Sequence, residues 1–314
     1  MKRSFLVAVL TLTLLLSLVA APMDHFAEVT DRNSDAGKLT MYFVDLDVPK
    51  GSKDKSGDCT IIISPDGKVM MVDCGHPDAG KDVLKVLHAL GIGHIDIFVN
   101  SHPHIDHLGA FPQVADACSI GKVYRSALEY DTQYTRAFAA SVKKYEIPEE
   151  IIADGSSFLF GEKVSVDVLW PKAGPITYPK EYPSNATQFI NDTSIVLLLT
   201  YGKSKVLLGG DLYRSGERDV MNIHENELAS DVAKANHHGN DTSNQRKWIK
   251  TVHPQVVVAM NDVMDSMDVY RDYVKYGSRF YHTLYNGTIK VRVDGDHHVT
   301  VIPQYESWVE KGGT

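Results

Sequence analysis

The chain has 314 residues, of which 43% are hydrophobic and three are cysteines, with a formal charge of −8. That length and apolar content can bury one large core or two modest ones, and the acidic balance gives little non-specific pull on nucleic-acid phosphates. The odd cysteine count, with no Cys-x-x-Cys spacing, indicates neither a disulfide framework nor a cysteine zinc site.

Lys2 and Arg3 precede an uncharged run over residues 4–22 rich in Leu, Val and Ala, the layout of a secretory signal. Residues 1–22 are therefore expected to be a signal peptide, 23–38 a flexible polar segment, and 39–314 one folded domain. Export places the protein outside the cytoplasm, secreted or periplasmic. The run is long enough that an uncleaved anchor is the alternative, and it offers the only route to a membrane. Losing Lys2 and Arg3 takes the formal charge from −8 to −10.

Leu39 to Asp45 alternates as a strand. Residues 49–58, rich in Lys, Asp, Ser and Gly, form a charged loop that either reaches the site or is a solvated hairpin, the second being the reading adopted. Strands follow at Cys59–Ile63 and Val69–Val72, joined by the turn Pro65-Asp66-Gly67. They end at Asp73, ahead of a helix predicted over Ala79–Leu90 and placed to cap it.

The apolar strand Ile95–Val99 then delivers His102-Pro103-His104-Ile105-Asp106-His107. Residues two apart share a face on an extended segment but not on a helix, and Pro103 favours extended backbone between the first two imidazoles. Asp106 and His107 come off the turn into the next helix, where they can serve a neighbouring ion. Imidazole with carboxylate suits zinc first, manganese or iron second.

Helices are expected over Leu108–Ala117 and Thr132–Lys144, with strands at Lys122–Tyr124 and Val164–Leu169. Between Trp170 and Phe189 the pattern dissolves into proline, glycine and aromatics, read as a substrate-facing flap, with a plain surface loop as the alternative. Strands Ile195–Thr200 and Lys205–Leu208 come next. The second ends in Gly209-Gly210-Asp211, where a strand-terminal carboxylate can approach a metal pair closely. A helix over Ser215–Glu225 and a short strand Asp231–Ala235 lead to Asn236-His237-His238-Gly239. One of these histidines should be a ligand and the other a proton or hydrogen-bond donor; His237 is assigned the first role and His238 the second. Helices Asn244–Val252 and Asp265–Tyr276, with strands at Gln255–Met260, Ile289–Val293 and Val299–Ile302, complete the chain.

The His-x-His-x-Asp-His run after a buried strand resembles the signature of the metallo-β-lactamase superfamily, and the resemblance runs from about Leu39 to the C-terminus. Tyr42-Phe43-Val44-Asp45, the lead-in Leu90–Asp96 and Asn236–Gly239 look most like the branch of the DNA-uptake (competence) channel hydrolase domain and the teichoic-acid phosphorylcholine esterase. The resemblance implies an α+β fold, an αββα sandwich of two mixed β-sheets flanked by helices. It implies two zinc ions: His102 and His104 on one, Asp106 and His107 on the other, Asp211 bridging, and His237 completing the second. Asp73 would orient ligands by hydrogen bonds, and Asn191 would stand just outside the ligand set. No histidine occurs between His107 and Asp211, where the lactamases proper carry a third ligand for the first metal, so β-lactam hydrolysis is disfavoured.

The implied activity is that of a secreted two-metal hydrolase in which ions about 3.5–4 Å apart share a hydroxide that attacks a phosphodiester. Asp106, Asp211 and His238 stand at the reaction centre. A small-molecule or cell-surface phosphoester is the expected substrate, with nucleic acid disfavoured by charge. A choline ester calls for an aromatic cage, for which Trp170, Tyr178 and Tyr182 are the candidates. The alternatives are an extracellular nuclease, a carboxylic-ester or lactam hydrolase, and a non-catalytic metal-containing binding protein. With no Gly-x-Ser-x-Gly and no P-loop, serine-hydrolase and kinase chemistry have no foothold.

Overall fold

The computed structural model describes residues 23–178 and 186–309; the expected signal segment and Tyr182 lie outside them. Among the described residues, no helix is long and apolar enough to cross a membrane.

Leu39–Phe43 shows why the chain makes layers. All five residues are buried, with Tyr42 packing to one side of the sheet and Met41 and Phe43 to the other, as the two-residue period of a strand requires. A strand apolar on both faces needs a cover on each. One cover is a second sheet and the other is helical. The eight-stranded sheet runs Val299–Pro303, Ile289–Val293, Leu39–Phe43, Thr60–Ile63, Val69–Val72, Ile97–Val99, Val123–Arg125, Glu149–Ile151. The seven-stranded sheet runs Arg279–His282, Val256–Ala259, Val232–Lys234, Ser204–Leu208, Val196–Tyr201, Val164–Trp170, Ser157–Phe160. Met41, Phe43, Ile62, Val166, Leu197 and Val258 belong to the core shared by the two sheets. Helices Gly80–Ala89 and Phe111–Ala117 cover one outer face, and Arg214–His224, Arg246–Val252 and Met267–Lys275 the other. The result is an αββα sandwich of mixed sheets.

Each sheet changes from antiparallel to parallel partway across. Val69–Val72 pairs parallel with Ile97–Val99, and Ser204–Leu208 parallel with Val232–Lys234. Parallel neighbours end on the same edge, so the segments carrying Asp73, the metal loop, Asp211 and His237-His238 leave their strands in pairs from common edges.

Residues 23–38, expected to be flexible, are tied to the domain. Phe26–Thr30 is a short helix with Val29 fully buried. Buried Asp35 pairs with Lys290 Nζ at 2.6 Å and accepts from the Tyr42 hydroxyl at 2.8 Å. Lys290 also donates to the Asp31 carbonyl at 2.6 Å. The helix expected from Leu108 starts earlier, as Ile105–Leu108 followed by Phe111–Ala117.

Candidate metal centre

Asp73, directly after its strand, sits at φ 58°, unusual for a residue with a Cβ. The turn aims its carboxylate beneath the metal loop. Oδ1 accepts from Ser101 N at 2.8 Å, and Oδ2 accepts from Ser101 Oγ at 2.6 Å and faces His107 Nδ1 at 2.8 Å. His107 is thereby held with Nε2 pointing away, 3.2 Å from Asp211 Oδ2 and 3.8 Å from Asp106 Oδ2.

His237 and His238 also have positive φ, 46° and 57°, and this paired reversal sends the two rings different ways. His238 Nδ1 lies 3.0 Å from Asp58 Oδ1 and 2.9 Å from the Met260 carbonyl. Its Nε2 faces Asp106 Oδ2 at 3.2 Å and Asp211 Oδ2 at 3.1 Å. His237 stands further out: Nδ1 meets Thr242 Oγ1 at 2.6 Å, Nε2 is 3.9 Å from Asp211 Oδ2, and the ring lies 4.7 Å from that of Tyr213. The geometry thus favours His238, not His237, as the inner imidazole, because only His238 is backed by a buried carboxylate with its free nitrogen among carboxylates.

His102 and His104 adjoin this group. His102 Nε2 is 2.9 Å from His104 Nδ1 and 4.0 Å from Asp211 Oδ2, with Nδ1 held 3.1 Å from Ser101 Oγ. Asn191 is buried and lines the same cleft as His104, Asp106, Asp211 and His237, an open space of about 230 Å³. The site residues singled out in the sequence are therefore gathered at one place, apart from the three aromatics of the expected cage. Trp170 is core, its Nε1 donating to the Asp192 carbonyl at 2.6 Å, and Tyr182 lies outside the described residues. Tyr178 packs on Phe189 instead, with ring centroids 4.8 Å apart.

Two members were not foreseen. Asp58 and Lys234 are both buried, with Lys234 Nζ 2.6 Å from Asp58 Oδ2 and 3.5 Å from Asp211 Oδ1. Lys234 Nζ also donates to the Gly210 carbonyl at 2.7 Å and the Ala235 carbonyl at 3.1 Å. A lysine inside the apolar strand expected over Asp231–Ala235 was the available signal, since an ionised side chain is rarely buried without a partner. Asp58 close by is that partner. Asp58, His107, Asp211 and His238 have ligand atoms within 4.8 Å of one another. Both Asp58 oxygens are engaged, however, by Lys234 and His238, so Asp58 supports the set from behind while Asp106 faces inward.

The electrostatics suit cations. Burial disfavours charge on His107, but Asp211, Asp106 and Asp73 outweigh it and hold the imidazole well above its ordinary range. Burial likewise opposes charge on His238, and Asp211 and Asp58 outweigh it. Burial pushes His102 and His104 down, and His237 down to about 4. Burial would raise Asp211, yet His238 and His107 hold it well below the carboxylate range. Among the described residues, the buried His107 Nε2 and His238 Nε2 have no hydrogen-bond partner, though they converge on one carboxylate oxygen. Unpartnered imidazole nitrogens aimed at shared carboxylates fit a divalent ion.

This fold and this site define a metal-dependent hydrolase scaffold. Residues 53–259 match the metallo-beta-lactamase superfamily, and the chain belongs to that superfamily. It is 25% identical over 178 residues to ComE operon protein 3 of Bacillus subtilis, covering 57% of this chain and 21% of that protein. It is 24% identical over 204 residues to competence protein ComA of Neisseria gonorrhoeae, covering 64% of this chain and 25% of that protein. The chain thus spans only about a fifth to a quarter of the curated relatives it matches. Among solved structures it is similar in fold to a mutant of the CmlA beta-hydroxylase, with TM-score 0.52 and 12% identity, covering 81% of this chain and 54% of that one.

Proposed function

We propose that the chain is a secreted two-metal hydrolase that cleaves phosphodiester bonds, with zinc as the metal and manganese or iron as substitutes. The observation that carries the reading is the convergence of His107 and His238 on Asp211 Oδ2, at 3.2 and 3.1 Å, beside the His102–His104 pair. Asp106, His107, Asp211 and His238 would hold one ion, and His102, His104 and Asp211 the other. When bound, such a pair supplies Lewis-acid charge and an activated water.

The remaining residues do ordinary work. Asp73 fixes the His107 tautomer, Asp58 fixes that of His238, and each keeps its ring from rotating. His237, on the wall of the cleft with Nδ1 tied to Thr242, would donate a hydrogen bond from its neutral ring to a substrate oxygen. The expectation that His237 is the ligand gives way to this outer role. The likeness to competence proteins supports the same branch of the superfamily.

The test is hydrolysis of bis(p-nitrophenyl) phosphate by the zinc-loaded protein beside Asp211→Asn. Turnover lost both in the variant and on chelation is expected. Zinc bound without turnover of phosphodiesters, carboxylic esters or lactams would leave the protein a metal-containing binding protein and remove the reading.

A further inference from the structure

The loop over residues 49–58 is not a solvated hairpin. Its root is fastened to the metal loop, where Asp58 N donates to the Asp106 carbonyl at 3.1 Å, and to the segment after Asp73, where the Ser56 carbonyl accepts from His76 N at 3.0 Å. Gly57, at φ 85°, approaches so closely that a Cβ there would lie 1.6 Å from the Asp106 carbonyl oxygen, so no larger residue fits without moving the metal loop. The loop forms one wall of the cleft over Asp106, Asp211 and His237, and it contributes Lys53 and Lys55 to that wall. Thr187 and Asn191 stand in the same lining.

The cleft wall carries two lysines although the chain's net charge is −8. Lys55 Nζ is held by Asp265 Oδ2 at 3.0 Å, and Asp265 is itself fixed by Asn261 Nδ2 at 2.8 Å. Asp54, between the two lysines, faces His76 at 3.8 Å and is half exposed. Asp106 and Asp211 are committed to the metal set, so the rim charges of the cleft are the two ammonium groups, Lys55 paired to Asp265, set against the single half-exposed carboxylate of Asp54.

We infer that Lys53 and Lys55 form an anion subsite beside the metal centre, which selects phosphoesters carrying a second anionic group next to the reacting phosphodiester. The inference rests on the function proposed above and narrows it. A quaternary ammonium group is disfavoured at this rim by like charge, and Trp170 is not free to cage one. A flanking phosphate gains two charge-assisted contacts.

Two dinucleotides differing only by a flanking phosphate, dithymidylate and its 5′-phosphorylated form, separate this subsite from the metal centre. The zinc-loaded wild type is expected to show a lower KM for the phosphorylated form, by about three- to tenfold, the range for two solvent-accessible ion pairs. Lys53→Gln/Lys55→Gln should lose that preference while keeping kcat on the plain dinucleotide within about twofold, because only uniform binding is removed. Zinc content and circular dichroism of the variant should match wild type. Equal KM values in the wild type, or an undiminished preference in the variant, would overturn the subsite. If the wild type cleaves neither dinucleotide, hydrolysis of bis(p-nitrophenyl) phosphate still decides the function proposed above, and pyrophosphate binding to the zinc-loaded protein decides the subsite alone. Weaker binding in the double variant supports it, and unchanged binding removes it.

Discussion

Lys234 sits where a cation is least at ease. It is 4% exposed, and burial alone would strip its proton, but Asp58 and Asp211 hold its pKa above the ordinary value. One ammonium thus ties the carboxylate that orients His238 to the carboxylate shared by both imidazoles. Removing one partner of a buried pair strands the other and typically costs about 3–5 kcal/mol. Lys234→Met should lower stability in urea by that order, and adding Asp58→Asn should recover part of the loss. Additive effects in that double-mutant cycle would mean that the two residues are not coupled. The histidine pair gives a second prediction: His238→Ala should bind about one zinc fewer per chain than wild type, whereas His237→Ala should keep full zinc and lose turnover. Zinc counts of the opposite sense would return the ligand role to His237. Sequence spacing could not separate these neighbours because their paired left-handed turn, not their order, decides which ring points inward. Asp58 was hidden for a related reason, since a Gly-Asp pair ending a charged loop looks like any turn until the packing of Gly57 on Asp106 is known.

At the scale of the element, the segment from Asn236 to Gln245 owes its shape to Glu217. The Glu217 carboxylate lies beneath it, accepting from Asn236 Nδ2 at 2.9 Å, Asn244 N at 2.6 Å and Gln245 N at 3.1 Å. Asn244, also at positive φ (57°), donates to the Asn236 and Asn240 carbonyls. Backbone held in sparsely populated conformations persists only when its surroundings over-determine it, and this clamp is the restraint. Burial pushes Glu217 up to about 7, against the pull of its donors. An acid raised in the folded state contributes stability that is full below its ordinary pKa of 4.5 and is lost as pH rises through about 7. Glu217→Gln, which cannot titrate, should therefore flatten the pH dependence. Between pH 5 and 8 the wild type should lose about 2.5 kcal/mol relative to the variant in urea unfolding. Parallel curves would mean that Glu217 does not change its proton across that range. Most elements were legible because their apolar period is strong. Glu149–Ile151, exposed throughout, has no buried face to reveal it, and Arg279–His282 is too short for alternation to register.

At the scale of the molecule, the centre lies between the sheets and draws on both. Asp73 and the residues from His102 to His107 come from the edge of the eight-stranded sheet, while Asp211, Lys234 and His238 come from the seven-stranded one. The fold was readable because the His-x-His-x-Asp-His run and the strand pattern agree. How closely the two sheet edges approach was not, because no local pattern encodes the contact between Asp58 and Lys234, 176 positions apart. Ions held jointly would act as a clasp. Occupancy at a thousandfold excess over Kd adds about 4 kcal/mol to the folded state, and the loss should be felt on both sides. Chelation is therefore expected to lower Tm and to speed amide exchange in residues 100–107 and 236–245 together, while Leu39–Phe43 and Val164–Trp170, paired deep within their sheets, stay protected. Faster exchange confined to the 100–107 loop would mean that one sheet holds the metal alone, and the shared role of Asp211 would have to be given up.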